Sequence, residues 1–186
     1  MRAIMRMDPD VLLVGEIRDT ETAKTAMDAA ITGHLVLSTV HARDAVGIYT
    51  RLSEMGVPGY MVAEAMTLGV SQRLTRRLHD CAVLGPPTQK DIALFTQINT
   101  PVPQELMQPT GCDACDGSGY RGRIAIVEVL EPSKKFRSMV LAGVGHDALI
   151  EQARADGFVP MIEEGLRLVR EHASTIEEVL RTVEAA

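Results

Sequence analysis

The sequence predicts an α/β chain, and three neighbouring segments predict it: a four-residue apolar run between Pro9 and Gly15, a helix-patterned stretch after it, and a second β-rich run beyond Gly33. Val11-Leu12-Leu13-Val14 is apolar throughout, the pattern of a strand buried on both faces of a parallel sheet. Asp19 or Thr20 can cap the following helix, whose Ala23, Ala26, Met27, Ala30 and Ile31 make one apolar face and whose stop is Gly33. Leu35-Val36-Leu37-Ser38-Thr39-Val40 supplies the second strand, completing a βαβ unit with the usual right-handed crossover.

The other elements follow in order. Before the first strand, the spacings of Ile4 with Met7 and Arg2 with Arg6 read as the tail of a helix ending at Asp8-Pro9. Ala45, Ile48, Tyr49 and Leu52 predict a helix that stops at Gly56, and Tyr60 to Leu68 a third, rich in Met and Ala. From His79 to Gly122 the chain is rich in Pro and Gly, holds every cysteine and shows little periodicity. Ile124 to Leu130 reads as a strand ended by Pro132, and the remainder as helices with caps at Ser133, Asp147 and Ser174. Three parts are therefore expected: residues 1–78 as an α/β core, 79–123 as a small cysteine subdomain, and 124–186 as a strand with a helical bundle.

Composition narrows the function classes. With 186 residues, 46% hydrophobic and 24% charged, the chain can bury one ordinary core or a core with a small module, and it is not a disordered segment. No apolar run reaches the roughly 18 residues that span a bilayer, so direct membrane insertion is not expected. The residues from Met1 to Asp10 contain no signal-peptide stretch, which points to the cytosol. A net charge of −6 and only 3% aromatic residues disfavour nucleic acid as a partner. Three cysteines, two of them in one Cys-x-x-Cys, suit a reduced compartment and a metal or redox site.

Two constellations carry candidate phosphate chemistry. The run from Asp8 to Asp19 delivers Glu16 to the C-terminal end of an apolar strand, the Walker B arrangement. Ligands of open α/β sheets bind beyond those strand ends, and an acid there can order Mg²⁺ with its water shell or polarise an attacking water. Arg18 stands close enough to reach phosphate oxygens or a neighbouring subunit, while Asp10, Gly15 and Glu16 are the candidates for the Mg²⁺ and ATP side. The adjacent strand carries His41 just past its C-terminal end, where imidazole can donate to a γ-phosphate or sense its loss. His34 falls at the opposite end of that strand and reads as structural. Taken alone, Val-Gly-Glu after an apolar run is equally the end of a buried strand in a solvated turn.

The run DPDVLLVGEIRDTETAKTAMDAAITGHLVLSTVHARDAVGIYTRLSEMGV, followed by Ser71-Gln72-Arg73-Leu74, resembles the motor ATPases of type II secretion and type IV pilus assembly from Walker B through the family's His box. The likeness continues through the cysteine region and Gly119-Tyr120-Arg121-Gly122-Arg123 into the final helices. It implies a RecA-like P-loop NTPase sheet, here partial, and a homo-hexamer with ATP at its subunit interfaces. An inner-membrane platform protein would be the partner, through which the chain is peripheral to that membrane. It also assigns Glu16 and His41, with Arg18, as catalytic. An upstream acidic box of the family, able to supply the base, is not in this chain.

One departure stands against that likeness: no Gly-Lys pair occurs anywhere in the sequence, so the phosphate-binding loop and its lysine are missing. Glu16 then has no phosphate to serve. The expectation is a fragment or split product that does not hydrolyse ATP alone. The alternative is a non-enzymatic interaction module.

Cys112-Asp113-Ala114-Cys115, with His79 and Cys81 about thirty residues earlier, offers four ligands for tetrahedral zinc. Secretion-type members of the family commonly carry Cys-x-x-Cys at both places, whereas the first pair here is His79-Asp80-Cys81, a shorter chelate. A zinc site with one His and three Cys, or a vestigial knuckle, are the two alternatives. Arg73, Arg76 and Arg77 before the cysteines, and Arg121 and Arg123 after them, are either a solvated face or a docking surface for an acidic partner.

Overall fold

The computed structural model describes residues 9–184, so the helix tail expected at Ile4 to Met7 lies outside the described residues. The chain divides into two units, one formed by residues up to Ser71 with Val129–Phe158, the other by Gln72–Glu128 with the residues from Val159 on.

In the first unit, β1 (Val11–Val14) and β2 (Leu35–Ser38) pair in parallel, with Val11 opposite Leu35 and Val14 opposite Ser38. Between them runs α1 (Thr20–Ile31), started by Asp19, whose carboxylate accepts the Thr22 N–H at 2.8 Å. Ala23, Ala26, Met27 and Ala29 are its buried face, and Gly33 leaves the helix at φ +103°, a conformation that favours glycine. The strands are not buried on both faces as their apolar pattern suggested. Leu12 is 8% exposed but Leu13 is 80%, and Val11, Leu35 and Leu37 stand half open. Among the described residues, apolar side chains pack on only one face of this two-stranded sheet.

The core of the unit lies where α1 meets α2 (Gly47–Glu54), α3 (Gly59–Ala65), α5 (Lys134–Leu141) and α6 (His146–Ala155). At its centre Tyr49 and Phe136 meet edge to face, with ring centroids 5.0 Å apart. Ser133 caps α5, accepting the Phe136 N–H at 3.0 Å, as its position in the sequence predicts. Asp147 does not cap α6, which starts from Gly145.

The second unit holds β4 (Val83–Gly85) antiparallel to β5 (Leu106–Gln108), with α4 (Gln89–Gln97), α7 (Met161–Arg170) and α8 (Ile176–Glu184) around Phe95, Leu106, Ile126 and Val179. The unit boundary falls within β3 (Gly69–Leu78) and β6 (Tyr120–Leu130), which pair with each other. A Cβ on Gly165 would come within 2.3 Å of Val179 Cγ1, so α7 and α8 require a glycine at their contact. α4 emerges where little periodicity was expected, because Thr88 and Asp91 close a reciprocal capping box at its start.

Arg76 and Glu178 also depart from a solvated charged face. Glu178, with its side chain 2% exposed, accepts Arg76 Nε at 2.7 Å and Arg181 Nη2 at 2.7 Å. Arg76 lies 4.3 Å above the Tyr120 ring, and its carbonyl accepts the Ser174 hydroxyl at 2.9 Å. Ser174 therefore ties β3 to the start of α8, and the N-terminal Glu178 N–H is met instead by Thr175 Oγ1 at 3.3 Å. No helix of the described residues is long and apolar enough to cross a membrane.

Candidate functional site

Parallel pairing brings Glu16 and His41 together. Each follows the C-terminal end of its strand by two or three residues, and a Glu16 oxygen, Oε1, lies 2.9 Å from His41 Nε2. The other oxygen, Oε2, accepts Arg18 Nε at 2.6 Å. Oε1 is buried without a hydrogen-bond donor aligned on it, whereas the side chains of Arg18 and His41 are 76% and 89% exposed. The Arg18 guanidinium holds the Glu16 carboxyl below its ordinary value, outweighing the opposite effect of burial. The result is an ionised acid whose Oε2 is held by Arg18 and whose buried Oε1 faces His41, beside an exposed imidazole and an exposed guanidinium.

Gly15 joins this acid to β1 and has open space where a Cβ would stand. Asp10 is not brought to the cluster: it precedes Val11, at the opposite end of β1, and its carbonyl accepts the Leu35 N–H at 3.0 Å. His34 is structural, its Nδ1 2.9 Å from the Ala29 carbonyl at the end of α1. Sequence reasoning did not single out Thr39 or the Asp44–His146 pair. Asp44 accepts the Gly47 N–H at 2.6 Å at the start of α2 and lies 3.1 Å from His146 Nε2, fixing the far end of the loop that carries His41. The spacing of Asp44 before an apolar helix was the available signal; no local signal links it to His146, 102 residues away.

In the second unit, His79, Cys81, Cys112 and Cys115 place their ligand atoms all within 4.8 Å of one another. The His-x-Cys spacing does not prevent convergence. Cys81 and Cys115 sulfurs are 3.8 Å apart, those of Cys112 and Cys115 3.7 Å, and His79 Nδ1 lies 3.6 Å from Cys112 Sγ. Those separations are too long for a disulfide and close to the edge of roughly 3.8 Å that a tetrahedral thiolate site has with metal–sulfur bonds of about 2.3 Å. The donor set, one imidazole and three thiols, suits a borderline-soft ion.

The local backbone makes this possible. After Cys112 a short 3₁₀ turn (Asp113–Cys115) leads through Asp116 in the left-handed region, and the Cys112 and Gly119 N–H groups donate to Cys115 Sγ at 3.2 and 3.3 Å. Gly119 has φ +75°, and a Cβ there would meet Pro109 at 2.6 Å. Burial raises the Cys115 thiol, but these N–H donors and the neighbouring thiols outweigh it and bring it down to about 7. Burial first, and then the Cys112 and Cys115 thiols, push Cys81 up.

An α/β sheet with an acid and a histidine at paired strand ends in one unit, and a converged Cys/His cluster in the other, define the class of chain this is. The family model described as "Type II/IV secretion system protein" matches residues 1–181, and the chain belongs to that family. It is 39% identical over 185 residues to the type IV pilus assembly ATPase TfpB of Acinetobacter baylyi, covering 98% of this chain and 32% of the relative. It is 41% identical to the type IV pilus assembly ATPase PilB of Thermus thermophilus, covering 99% of this chain and 21% of that protein. It is 40% identical to the type II secretion system protein E of Pseudomonas aeruginosa, covering 97% and 36%. The chain thus spans about a third or less of the length of these curated relatives. In fold it is similar to the crystal structure of the pilus retraction motor PilT with bound ADP, at TM-score 0.66 and 23% identity over 97% of this chain and 41% of PilT. The ATPase DotB of Legionella pneumophila gives the same TM-score, 0.66, at 18% identity over 100% of this chain and 41% of DotB.

Proposed function

We propose that this chain is the part of a secretion or pilus-assembly ATPase that carries the water-ordering acid and the phosphate-facing histidine, with a structural zinc knuckle. The observation that carries it is the cluster of Glu16, His41 and Arg18 at the ends of two parallel strands, in a chain of this family. Bound Mg²⁺ and ATP would supply the γ-phosphoryl group and the cation that offsets its charge. Glu16, kept ionised by Arg18, would accept from the attacking water through Oε1 once His41, now 2.9 Å from that oxygen, turns to phosphate. His41 offers a ring N–H to phosphate oxygen, and Arg18 reaches outward to phosphate or to a neighbouring subunit of a hexamer. In this reading the assembly works on the cytoplasmic side of an inner-membrane platform protein, which relatives named type IV pilus assembly ATPase and type II secretion system protein E support.

The residues that grip β- and γ-phosphates are absent from these 186 residues, since no glycine is followed by lysine. ATP turnover therefore depends on a further part carrying a phosphate loop. The converged donor set supports zinc held by His79, Cys81, Cys112 and Cys115, as a structural ion with no open position. The test is coexpression of this chain with the unmatched part of the P. aeruginosa type II secretion protein E. Mg²⁺-dependent ATP hydrolysis should appear and fall about a hundredfold with Glu16→Gln. Turnover indifferent to Glu16→Gln contradicts the assignment.

The completeness of the Cys/His cluster favours a second reading, a non-enzymatic module that binds a partner through the knuckle. Partner capture that survives Glu16→Gln but not Cys112→Ser, with no ATPase in any combination, would select it.

A further inference from the structure

A Cβ at Gly15 would meet nothing within 4 Å, so side-chain packing does not fix the backbone just before Glu16, whose carboxylate lies between Arg18 and His41. The β1–β2 ladder ends with Val14 opposite Ser38, before Glu16 is reached. One residue continues the connection. The Thr39 hydroxyl donates to the Gly15 carbonyl at 2.8 Å, and the Thr39 carbonyl accepts the Ile17 N–H at 2.9 Å. Those two groups belong to the peptide units on either side of the Glu16 Cα. Thr39 therefore ties down both flanks of the acid, and it does so two residues before His41 on the same strand end.

We propose that Thr39 is the positioning residue of the site: its hydroxyl and carbonyl together fix the Glu16 backbone so that the carboxylate meets Arg18 and His41 in one geometry. The proposal rests on the reading of Glu16 as the water-ordering acid. Without the hydroxyl, the Gly15 peptide regains the freedom that a glycine has, while the bond from Ile17 to the Thr39 carbonyl remains. Ser38, whose own hydroxyl bonds only to the Thr39 carbonyl at 3.3 Å, cannot replace it. Thr39 is exposed, so its replacement opens no core cavity.

The test compares Thr39→Val, which keeps the branched shape, with Thr39→Ser, which keeps the hydroxyl, in the 186-residue chain. The readout is the titration of the Glu16 side-chain carboxyl by ¹³C NMR, assigned with Glu16→Gln, alongside the melting temperature. In the parent chain Arg18 holds this carboxyl low. Thr39→Val should raise its midpoint toward the ordinary carboxylate value, as the contacts with Arg18 and His41 loosen, with little change in melting temperature. Thr39→Ser should restore the parent midpoint. An unchanged midpoint in Thr39→Val, or a raised one in Thr39→Ser, overturns the proposal. This readout needs no turnover, so failure of the ATPase reading shows separately, as absent Glu16-dependent hydrolysis in the coexpressed assembly.

Discussion

The Cys/His cluster and the Glu16 cluster differ in completeness. Four ligands from two chain segments close around one point in the first, with N–H donors already directed at Cys115. In the second, an acid lies under an exposed histidine and an exposed arginine at the end of a two-stranded sheet, one face of which stays apolar and open. The first brings all four candidate ligands together within these residues; the second has no phosphate loop beside it in these 186 residues. Stability should therefore answer to the cysteines, and chemistry to what is joined to the strands.

Metal removal gives the largest expected effect. Stripping the ion with a chelator, or making Cys112→Ser with Cys115→Ser, should abolish a zinc stoichiometry near one and unfold the knuckle, since structural zinc contributes on the order of 10 kcal/mol to small domains. Hydrogen exchange should then rise around His79 and Gly119, whose backbone bond of 3.0 Å closes the knuckle, while α1 stays protected. Equal loss of protection in both would erase the contrast.

The ion pair at α8 comes next. Glu178→Gln leaves the half-exposed Arg76 and Arg181 without their carboxylate and should cost about 1 kcal/mol in urea unfolding. Its pH dependence has a definite sign. Arg76 first, and then Arg181, hold the Glu178 carboxyl down at about 2 against the opposing effect of burial, from an ordinary value of 4.5. The stabilisation is thus whole above about 4.5 and is lost as pH falls toward about 2. In Glu178→Gln that part of the acid loss should vanish.

Smallest is the effect expected on the open sheet face. Leu13→Asp, at a residue 80% exposed, should change stability by under about 0.5 kcal/mol and improve solubility. A loss of several kcal/mol would mean that this face is covered in the free chain.

Much of this was legible in the sequence for physical reasons. Apolar runs between Pro9 and Gly15 and after Gly33 announce β1 and β2, and parallel pairing makes the meeting of Glu16 and His41 a consequence of their positions after the strands. The convergence of His79, Cys81, Cys112 and Cys115 was legible from residue type and spacing, because two short chelates are what a tetrahedral ion selects. Burial was not: Leu13 has the pattern of a core strand, but coverage of its outer face depends on elements a local pattern does not contain. β3 was hidden because Arg73, Arg76 and Arg77 suggest a solvated cluster, whereas Arg76 turns to Glu178, 102 residues on. Thr39 escaped notice because a hydroxyl bond to a carbonyl 24 residues earlier leaves no periodic trace.

The most direct measurement is Mg²⁺-dependent ATP turnover by the 186-residue chain alone, with Glu16→Gln as its control. No turnover above background is expected in either, since Glu16, His41 and Arg18 have no phosphate loop among these 186 residues to work beside. Hydrolysis by the isolated chain that Glu16→Gln abolishes would contradict it.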